Sequence, residues 1–310
     1  METSNRRDSG AADSLRDAER QRPKGLLKRI SPQSRWYWVR QLLENPVAVG
    51  SMIFIFLLLA AALIWPLFSE NYPFRLNPVD RLQEPSRDFL MGTDDFGRDV
   101  LLRGVFGARV SLSVGLAVMA VSGIVGAMIG LLAGYYQRLD TPVMRVMDGI
   151  MAFPPILLAI AVMASLGPSV QNVIFTLGLV YVPIVSRLVR GSTLSIKNQL
   201  YVEAARSIGV KDLGIMLRHI FPNTVSPLIV QSTFIVALAI IAEASLSFLG
   251  AGVPPETPTW GAMLRDGQGR IQQAWWMITV PGVLLFITVL ALNLIGDALR
   301  DALDPRARQR

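Results

Sequence analysis

The sequence contains no cysteine, a single histidine and few charged residues. Without cysteine the chain has no disulfides, no thiol catalysis and no cysteine metal sites. With His219 alone it cannot build a histidine metal cluster or a catalytic triad. The chain also has no Gly-Lys dipeptide, so it lacks the phosphate-binding loop of ATP-hydrolysing enzymes. We therefore expect no catalytic site and no metal site in this chain.

Apolar residues dominate what is present. Of the 310 residues, 52% are hydrophobic and 17% are charged, and the mean hydropathy of +0.43 is too high for an ordinary soluble domain. Six apolar runs reach about the 20 residues that span a bilayer. They cover residues 46–69, 109–134, 143–166, 170–190, 224–250 and 274–298. The composition predicts an all-α membrane protein with six transmembrane helices.

The distribution of the cations predicts the orientation of the chain in the membrane. The net charge is +7, and with the N-terminus inside, 22 of the 30 lysines and arginines fall on the cytoplasmic side. This asymmetry is the positive-inside pattern, so we expect both termini to be cytoplasmic and the positive charge to face lipid rather than nucleic acid.

The apolar runs divide the chain into five segments. Because polar residues precede the first run, we expect that run to remain as an anchor rather than be cleaved as a signal peptide. The predicted segments are a mostly disordered cytoplasmic tail with an interfacial stretch (1–45), the first transmembrane helix (46–69), an outer loop (70–107), a core of five transmembrane helices (108–299) and a cytoplasmic tail (300–310).

The outer loop contains three closely spaced acids, Asp94, Asp95 and Asp99. They lack the alternating oxygen ligands and the closing bidentate glutamate of a calcium loop. Helix entry accounts for them better, and we expect Thr93 or Asp94 to cap the second transmembrane helix.

Two predicted transmembrane helices carry special residues. In the second, Ser122, Gly126, Gly130 and Gly134 recur every four residues, which removes bulk from one face and favours close packing in lipid. In the third, Pro154 and Pro155 remove backbone donors and should bend or break the helix, which is tolerable where the freed carbonyls face protein or a water-filled path.

A polar stretch, YVEAARSIGVKDLGIMLRHIFPN at residues 201–223, lies between the fourth and fifth apolar runs. Residues 199–208 can form an exposed cytoplasmic helix with small side chains at Ala204 and Ala205, ended by Gly209 in the left-handed conformation. A second short helix is expected over about residues 212–219, with Pro222 near the start of the fifth transmembrane helix. An exposed helix with a smooth patch beside Glu203 suits the groove of a partner protein.

This stretch resembles the EAA loop of binding-protein-dependent ABC importer permeases in Glu203, Ala204, Ala205, Gly209, His219 and Pro222. The segments GTDDFGRDVLLRGVFGARVSLSVG (92–115), GYYQRLDTPVMRVMDGIMAFP (134–154) and EASLSFLGAGVPPETPTWGAML (243–264) are similar to the C-type permeases of dipeptide, oligopeptide and nickel importers. The resemblance covers about residues 46–305.

The resemblance implies a type I ABC importer permease fold, with the EAA loop at 199–222 as the coupling helix. It further implies a related second permease, two ATPase subunits that bind ATP and Mg²⁺, and an external solute-binding protein that delivers short peptides. Nickel, glutathione and other small solutes remain alternatives as cargo. The resemblance assigns no substrate-contacting residues.

Glu243 is the acid expected deepest in the membrane, and two interpretations stay open. It lines or gates the path together with Pro154 and Pro155, or it makes a structural hydrogen bond to Ser245, Ser247 or a neighbouring helix. Two other functions fit less well. A membrane enzyme needs more catalytic groups than one glutamate, and a stand-alone secondary transporter needs paired broken helices, whereas the sequence predicts one strong break.

Overall fold

The computed structural model describes residues 37–68 and 76–303, and their regular structure is helical. The helices are α1 (Tyr37–Glu44), α2 (Pro46–Phe68), α3 (Val100–Tyr135), α4 (Gln137–Met151), α5 (Pro155–Leu166), α6 (Val170–Ile196), α7 (Leu200–Ser207), α8 (Asp212–Ile215), α9 (Phe221–Phe248), α10 (Trp260–Gln268) and α11 (Trp276–Leu303). The predicted tail over 1–36 lies outside the described residues, as do residues 69–75 and 304–310.

Within the described residues, five helices are long and apolar enough to cross a membrane, and the bent pair α4 and α5 makes a sixth crossing if it is one span. The five contain α2, α3, α6, α9 and α11. The break between α4 and α5 falls at Pro154 and Pro155, and the two helices meet at 89°. The proline pair thus does what its missing amide donors predict.

The predicted outer loop ends earlier than expected. The prediction of a loop over 70–107 is wrong at its end, because α3 already begins at Val100. The predicted caps are wrong as well: the side chain of Asp99 accepts the amide of Leu102 at 3.1 Å, while the hydroxyl of Thr93 accepts the amide of Gln83. A carboxylate at the N-cap satisfies one free amide of the first turn, which sets the start of the helix.

Other predicted boundaries shift by a few residues. The helix α11 continues to Leu303 and so includes the first four residues of the predicted C-terminal tail. The predicted short helix over 212–219 is not separate: α8, a π turn over Met216–Ile220 and α9 form one helix from Asp212 to Phe248. π turns within α-helices frequently occur at functional sites.

The core has two parts. One lies between α3, α5, α6 and α9 and includes Leu177, Val185 and Ile235, and the other lies between α2, α3, α10 and α11 and includes Trp260 and Trp276. The helix α3 contributes to both parts. Its first turns contact α10 and its last turns contact the α7 region, so we refer below to the α10 side and the α7 side of the protein.

Candidate functional site

The helix α7 is a short helix on the surface of the α7 side. Its inward face holds Val202 and Ala205, which are buried, and its outward face holds Glu203 and Ala204, which are exposed. Val202 anchors the helix in the core together with Ile215 of α8, and both are fully buried. The structure therefore presents the glutamate and the first alanine of the motif to solvent and uses the second alanine for packing.

A Schellman motif ends α7. The amide of Val210 donates to the Ala205 carbonyl at 3.1 Å, and the amide of Gly209 donates to the Arg206 carbonyl at 3.0 Å. Gly209 has φ of +84°, and no other atom lies within 4 Å of the position a Cβ would take. The backbone conformation rather than crowding requires glycine here.

Large apolar side chains project around α7. Leu200 and Ile208, at its two ends, are each 82% exposed, and Leu213 and Leu217 follow at 63% and 52%. Leu217 lines an apolar cavity with α3 and α9, but Leu200 and Ile208 do not line it, and exposed apolar side chains of their size are a feature of protein–protein contact sites. The surface also carries the exposed charged side chains of Glu203, Arg206, Lys211 and Asp212, so it is both apolar and charged.

The remaining two residues of the motif lie at the junction of the π turn and α9. The main-chain carbonyl of His219 accepts the side-chain amide of Asn223 at 2.7 Å, and the His219 side chain is half-buried. Pro222 is exposed and is the second residue of α9, which begins directly after the π turn.

Several cavities open along α9, and two of them lie beside residues predicted for the site. One, of about 670 Å³, lies on the α7 side between α6, α9 and α11 and has a mixed polar and apolar lining that includes Pro222, Asn223, Gln231 and Arg300. The other, of about 250 Å³, is mostly apolar and lies between α5, α6 and α9. Pro155 lines this second cavity, which places the predicted break at a space inside the helix bundle.

Glu243 is fully buried between helices. Its two carboxylate oxygens accept the hydroxyls of Ser247, at 2.8 Å, and of Ser111 of α3, at 2.9 Å. The hydroxyl of Ser245 instead donates to the Ile241 carbonyl of its own helix. Glu243 contributes to neither cavity described above, so the geometry favours the hydrogen-bonding interpretation over the path-lining one. Sequence reasoning did not identify Ser111, whose partner lies 132 residues away.

The small residues of α3 face α6. A methyl group on Gly130 would come within 2.5 Å of the Ser186 carbonyl oxygen, and one on Gly126 within 2.6 Å of the Val185 Cβ. A methyl group on Gly134 would meet Thr193 at 2.7 Å. Ser122 is fully buried and donates its hydroxyl to the Val118 carbonyl of the same helix. The three glycines therefore lie where α3 and α6 are in close contact, while Ser122 bonds within its own helix.

The acids before α3 join an ion-pair network on the α10 side that the sequence did not indicate. Arg103, only 3% exposed, lies between Asp94 at 3.5 Å and Asp266 at 3.7 Å, and Asp95 binds Arg270 at 3.1 Å. Burial raises the pKa of the Asp266 carboxyl, and the charge of Arg103 opposes that rise. These pairs hold the loop before α3 against α10.

Comparison with known proteins identifies the family. Residues 126–309 match the model of the binding-protein-dependent transport system inner membrane components, and residues 34–85 match the N-terminal transmembrane domain of oligopeptide transport permease C. The first match covers more than half of the chain. The protein belongs to the family of membrane components of binding-protein-dependent transport systems.

Relatives at substantial identity support this membership. A putative peptide transport system permease of Brucella abortus is 46% identical over 269 residues, which are 87% of this chain and 91% of the relative. The dipeptide transport system permease of Alkalihalophilus pseudofirmus is 43% identical over 270 residues, or 87% and 89% of the two chains. A glutathione transport system permease of Pectobacterium atrosepticum is 42% identical over 287 residues, or 91% and 94%.

Solved structures agree with the fold. A structure of the MetNI methionine ABC transporter in inward-facing conformations matches 66% of this chain and 96% of its own with a TM-score of 0.55 and 20% identity. An amino acid ABC transporter matches 64% of this chain and 92% of its own with a TM-score of 0.50 and 14% identity. The fold is that of ABC importer permeases, as the resemblance implies.

Proposed function

We propose that the protein is the permease subunit of an ATP-driven importer of short peptides. It pairs with a homologous permease to form the path, and an external solute-binding protein delivers the cargo. Two separate ATPase subunits bind ATP and Mg²⁺ and hydrolyse the ATP, since the chain itself has no phosphate-binding loop. The relatives named for peptide transport at 46% and 43% identity support this cargo.

The exposed helix α7 is the observation that carries the proposal. In this account Glu203, Ala204, Ala205, Gly209, His219 and Pro222 form the surface that the ATPase contacts. Leu200 and Ile208 project from both ends of α7 and would lose most of their 82% exposure in a groove of that subunit. Membrane lipid surrounds the apolar helices, and both termini face the cytoplasm.

The test is affinity purification of the solubilised protein with identification of its bound chains by mass spectrometry. We compare the unchanged protein with Glu203→Ala, Gly209→Val and Gly149→Val. Both glycines have open space around them, but only Gly209 has a positive φ. Valine at positive φ is strongly disfavoured, so Gly209→Val should distort the end of α7 and lose the ATPases, while Gly149→Val should retain them.

Two results contradict the proposal. If the unchanged protein is purified alone, under conditions that preserve other membrane complexes, the stand-alone transporter becomes the better account. If Gly209→Val retains both ATPases at the level of Gly149→Val, α7 is not their docking surface.

A glutathione importer is the second candidate, because a relative named for glutathione transport is 42% identical over 91% of this chain. Uptake of a labelled dipeptide by cells carrying the complex separates the two candidates. Competition by excess unlabelled dipeptides supports the peptide proposal. Competition by glutathione alone supports the second candidate.

A further inference from the structure

Two residues that flank α7 are attached to the same end of α3. The ammonium group of Lys197, before α7, donates to the Gly134 carbonyl at 2.7 Å. The hydroxyl of Tyr135 donates to the Asp212 carboxylate, after α7, at 2.6 Å. The guanidinium of Arg206, on α7 itself, lies 5.9 Å from the centre of the Tyr135 ring. The segment 197–212 is thus held at three points by the last turn of α3.

The chemistry of these contacts makes the attachment of the segment 197–212 to α3 strong. A cation at the C-terminal end of a helix satisfies a free carbonyl and meets the negative end of the helix dipole. Hydrogen bonds to a charged carboxylate are stronger than those between neutral groups. The covalent chain already joins the segment to α6 and, through α8, to α9. The side-chain contacts therefore add α3 as the third long helix tied to α7.

The other end of α3 is bound to the closed α10 side. The carbonyl of Gly104 accepts the indole N–H of Trp260 at 2.9 Å, and the hydroxyl of Ser111 donates to Glu243 at 2.9 Å. Trp260 and Glu243 are both fully buried. The helices α3, α9 and α10 therefore meet in a closed contact on this side, where the neighbouring cavity beside Arg103 and Asp266 holds only about 10 Å³, whereas a cavity of 670 Å³ opens on the α7 side.

The helix α3 is long and contains no proline. Its 36 residues extend about 54 Å at 1.5 Å per residue, well beyond the roughly 30 Å of the hydrocarbon layer. No proline interrupts it, whereas α6, α9 and α11 each contain an interior proline, at Pro183, Pro227 and Pro281. Unlike the other three helices, α3 therefore has no proline kink at which a displacement at Tyr135 could be absorbed.

We propose that α3 couples α7 to the closed contact on the α10 side, with Tyr135 and Asp212 as the positioning residues of the link. This inference rests on the proposed function, because it assumes that an ATPase moves α7. In this account the movement of α7 shifts α3 along its length and loosens the contacts of Ser111 and Gly104 with α9 and α10.

The test uses a single cysteine as a reporter in a chain that has none. Ala262 of α10 is 2% exposed, so Ala262→Cys should react slowly with a polar maleimide until the α10 side opens. The complete complex in lipid nanodiscs is labelled with and without a non-hydrolysable ATP analogue and the binding protein. We expect the labelling rate to rise at least about fivefold, since opening exposes the thiol.

The link is then weakened by Tyr135→Phe combined with Asp212→Asn. We expect most of the nucleotide-dependent rise in labelling to disappear, and the cargo transported per ATP hydrolysed to fall at least about threefold while the ATPases remain bound. The matched control is Tyr136→Phe, whose hydroxyl lies 3.4 Å from Asp212, a longer and weaker contact. It should behave like the unchanged protein.

Two outcomes overturn the inference. One is a double variant that keeps the full rise in labelling and the normal transport per ATP. The two ends of α3 would then respond to the nucleotide and the binding protein independently of each other. The other is loss of the bound ATPases from the double variant, which makes the link a docking contact only. Failure of the proposed function appears instead in the unchanged protein, as absence of bound ATPases and of peptide uptake.

Discussion

Glu243 illustrates how a single carboxylate is accommodated in an apolar helix bundle. Its two oxygens accept the hydroxyls of Ser111 and Ser247, so both serines depend on Glu243 and the carboxylate depends on both serines. A buried polar group without a partner costs about 1–3 kcal/mol. The network therefore ties α3 to α9, and its value for stability lies in leaving no member unpaired.

We expect Glu243→Leu to lower the thermal unfolding temperature of the solubilised protein, because both serine hydroxyls lose their acceptor. The loss should correspond to about 2–3 kcal/mol, whereas Glu243→Gln, which keeps a carbonyl acceptor, should lose less. Ser245→Ala is the control, since its exposed hydroxyl bonds only within its own helix turn, and it should change stability by no more than about 0.5 kcal/mol. An unchanged unfolding temperature for Glu243→Leu would show that the network contributes nothing.

At the scale of the helices, the contact between α3 and α6 depends on missing side chains. Association in lipid gains little from apolar burial, so helices that approach closely use small residues to increase van der Waals contact. Gly126, Gly130 and Gly134 supply this surface against Val185, Ser186 and Thr193 of α6.

Gly130→Ala should separate α3 from α6, because the added methyl group would lie 2.5 Å from the Ser186 carbonyl oxygen. Overpacking of this kind costs about 1–3 kcal/mol and should lower the thermal unfolding temperature by several degrees. Gly123→Ala is a matched control on the same helix, since no atom lies within 4 Å of its added methyl group. That variant should be neutral or slightly more stable because alanine favours the helix. Equal stability of the two variants would contradict this packing.

Local features of the helices could be predicted from the sequence, whereas features that depend on distant partners could not. Pro154 and Pro155 predict a break, and Gly209 predicts the end of α7, because missing donors and a positive φ are properties of single residues. The apolar run predicts a start of this helix near residue 109, later than the observed start of α3 at Val100, because Arg103 lowers the local hydropathy. Arg103 belongs to the helix since Asp94 and Asp266 neutralise it, and Asp266 is remote in sequence.

The same distinction between local features and distant partners applies to the candidate site. The motif around Glu203 identifies α7, yet Tyr135 and Lys197 become relevant only when folding brings α3 beside it. The sequence does indicate that the tyrosine pair at the end of α3 lies at the membrane interface, because aromatic residues are enriched there. That signal does not specify Asp212 as the partner. Long-range pairs of this kind require the packed structure.

At the scale of the whole molecule, the charges found at the two ends of α3 predict the orientation of the protein in the membrane. The α7 surface carries Arg206, Lys211 and Arg218, and the cytoplasmic side attracts such cations. The α10 side holds the ion-pair network, where acids balance the arginines. This contrast predicts that the α7 side is cytoplasmic and that the α10 side faces outward.

Cysteine labelling in intact cells tests this orientation directly, because the chain has no cysteine of its own. Ser207→Cys at the end of α7 and Glu256→Cys before α10 both place the thiol at an exposed position, so accessibility of the side chain itself does not distinguish them. An external thiol reagent that cannot cross the membrane should label Glu256→Cys and leave Ser207→Cys unlabelled until the cells are opened. Labelling of Ser207→Cys in intact cells would place α7 outside, where no ATP-hydrolysing subunit could reach it, and would refute both the orientation and the docking role of α7.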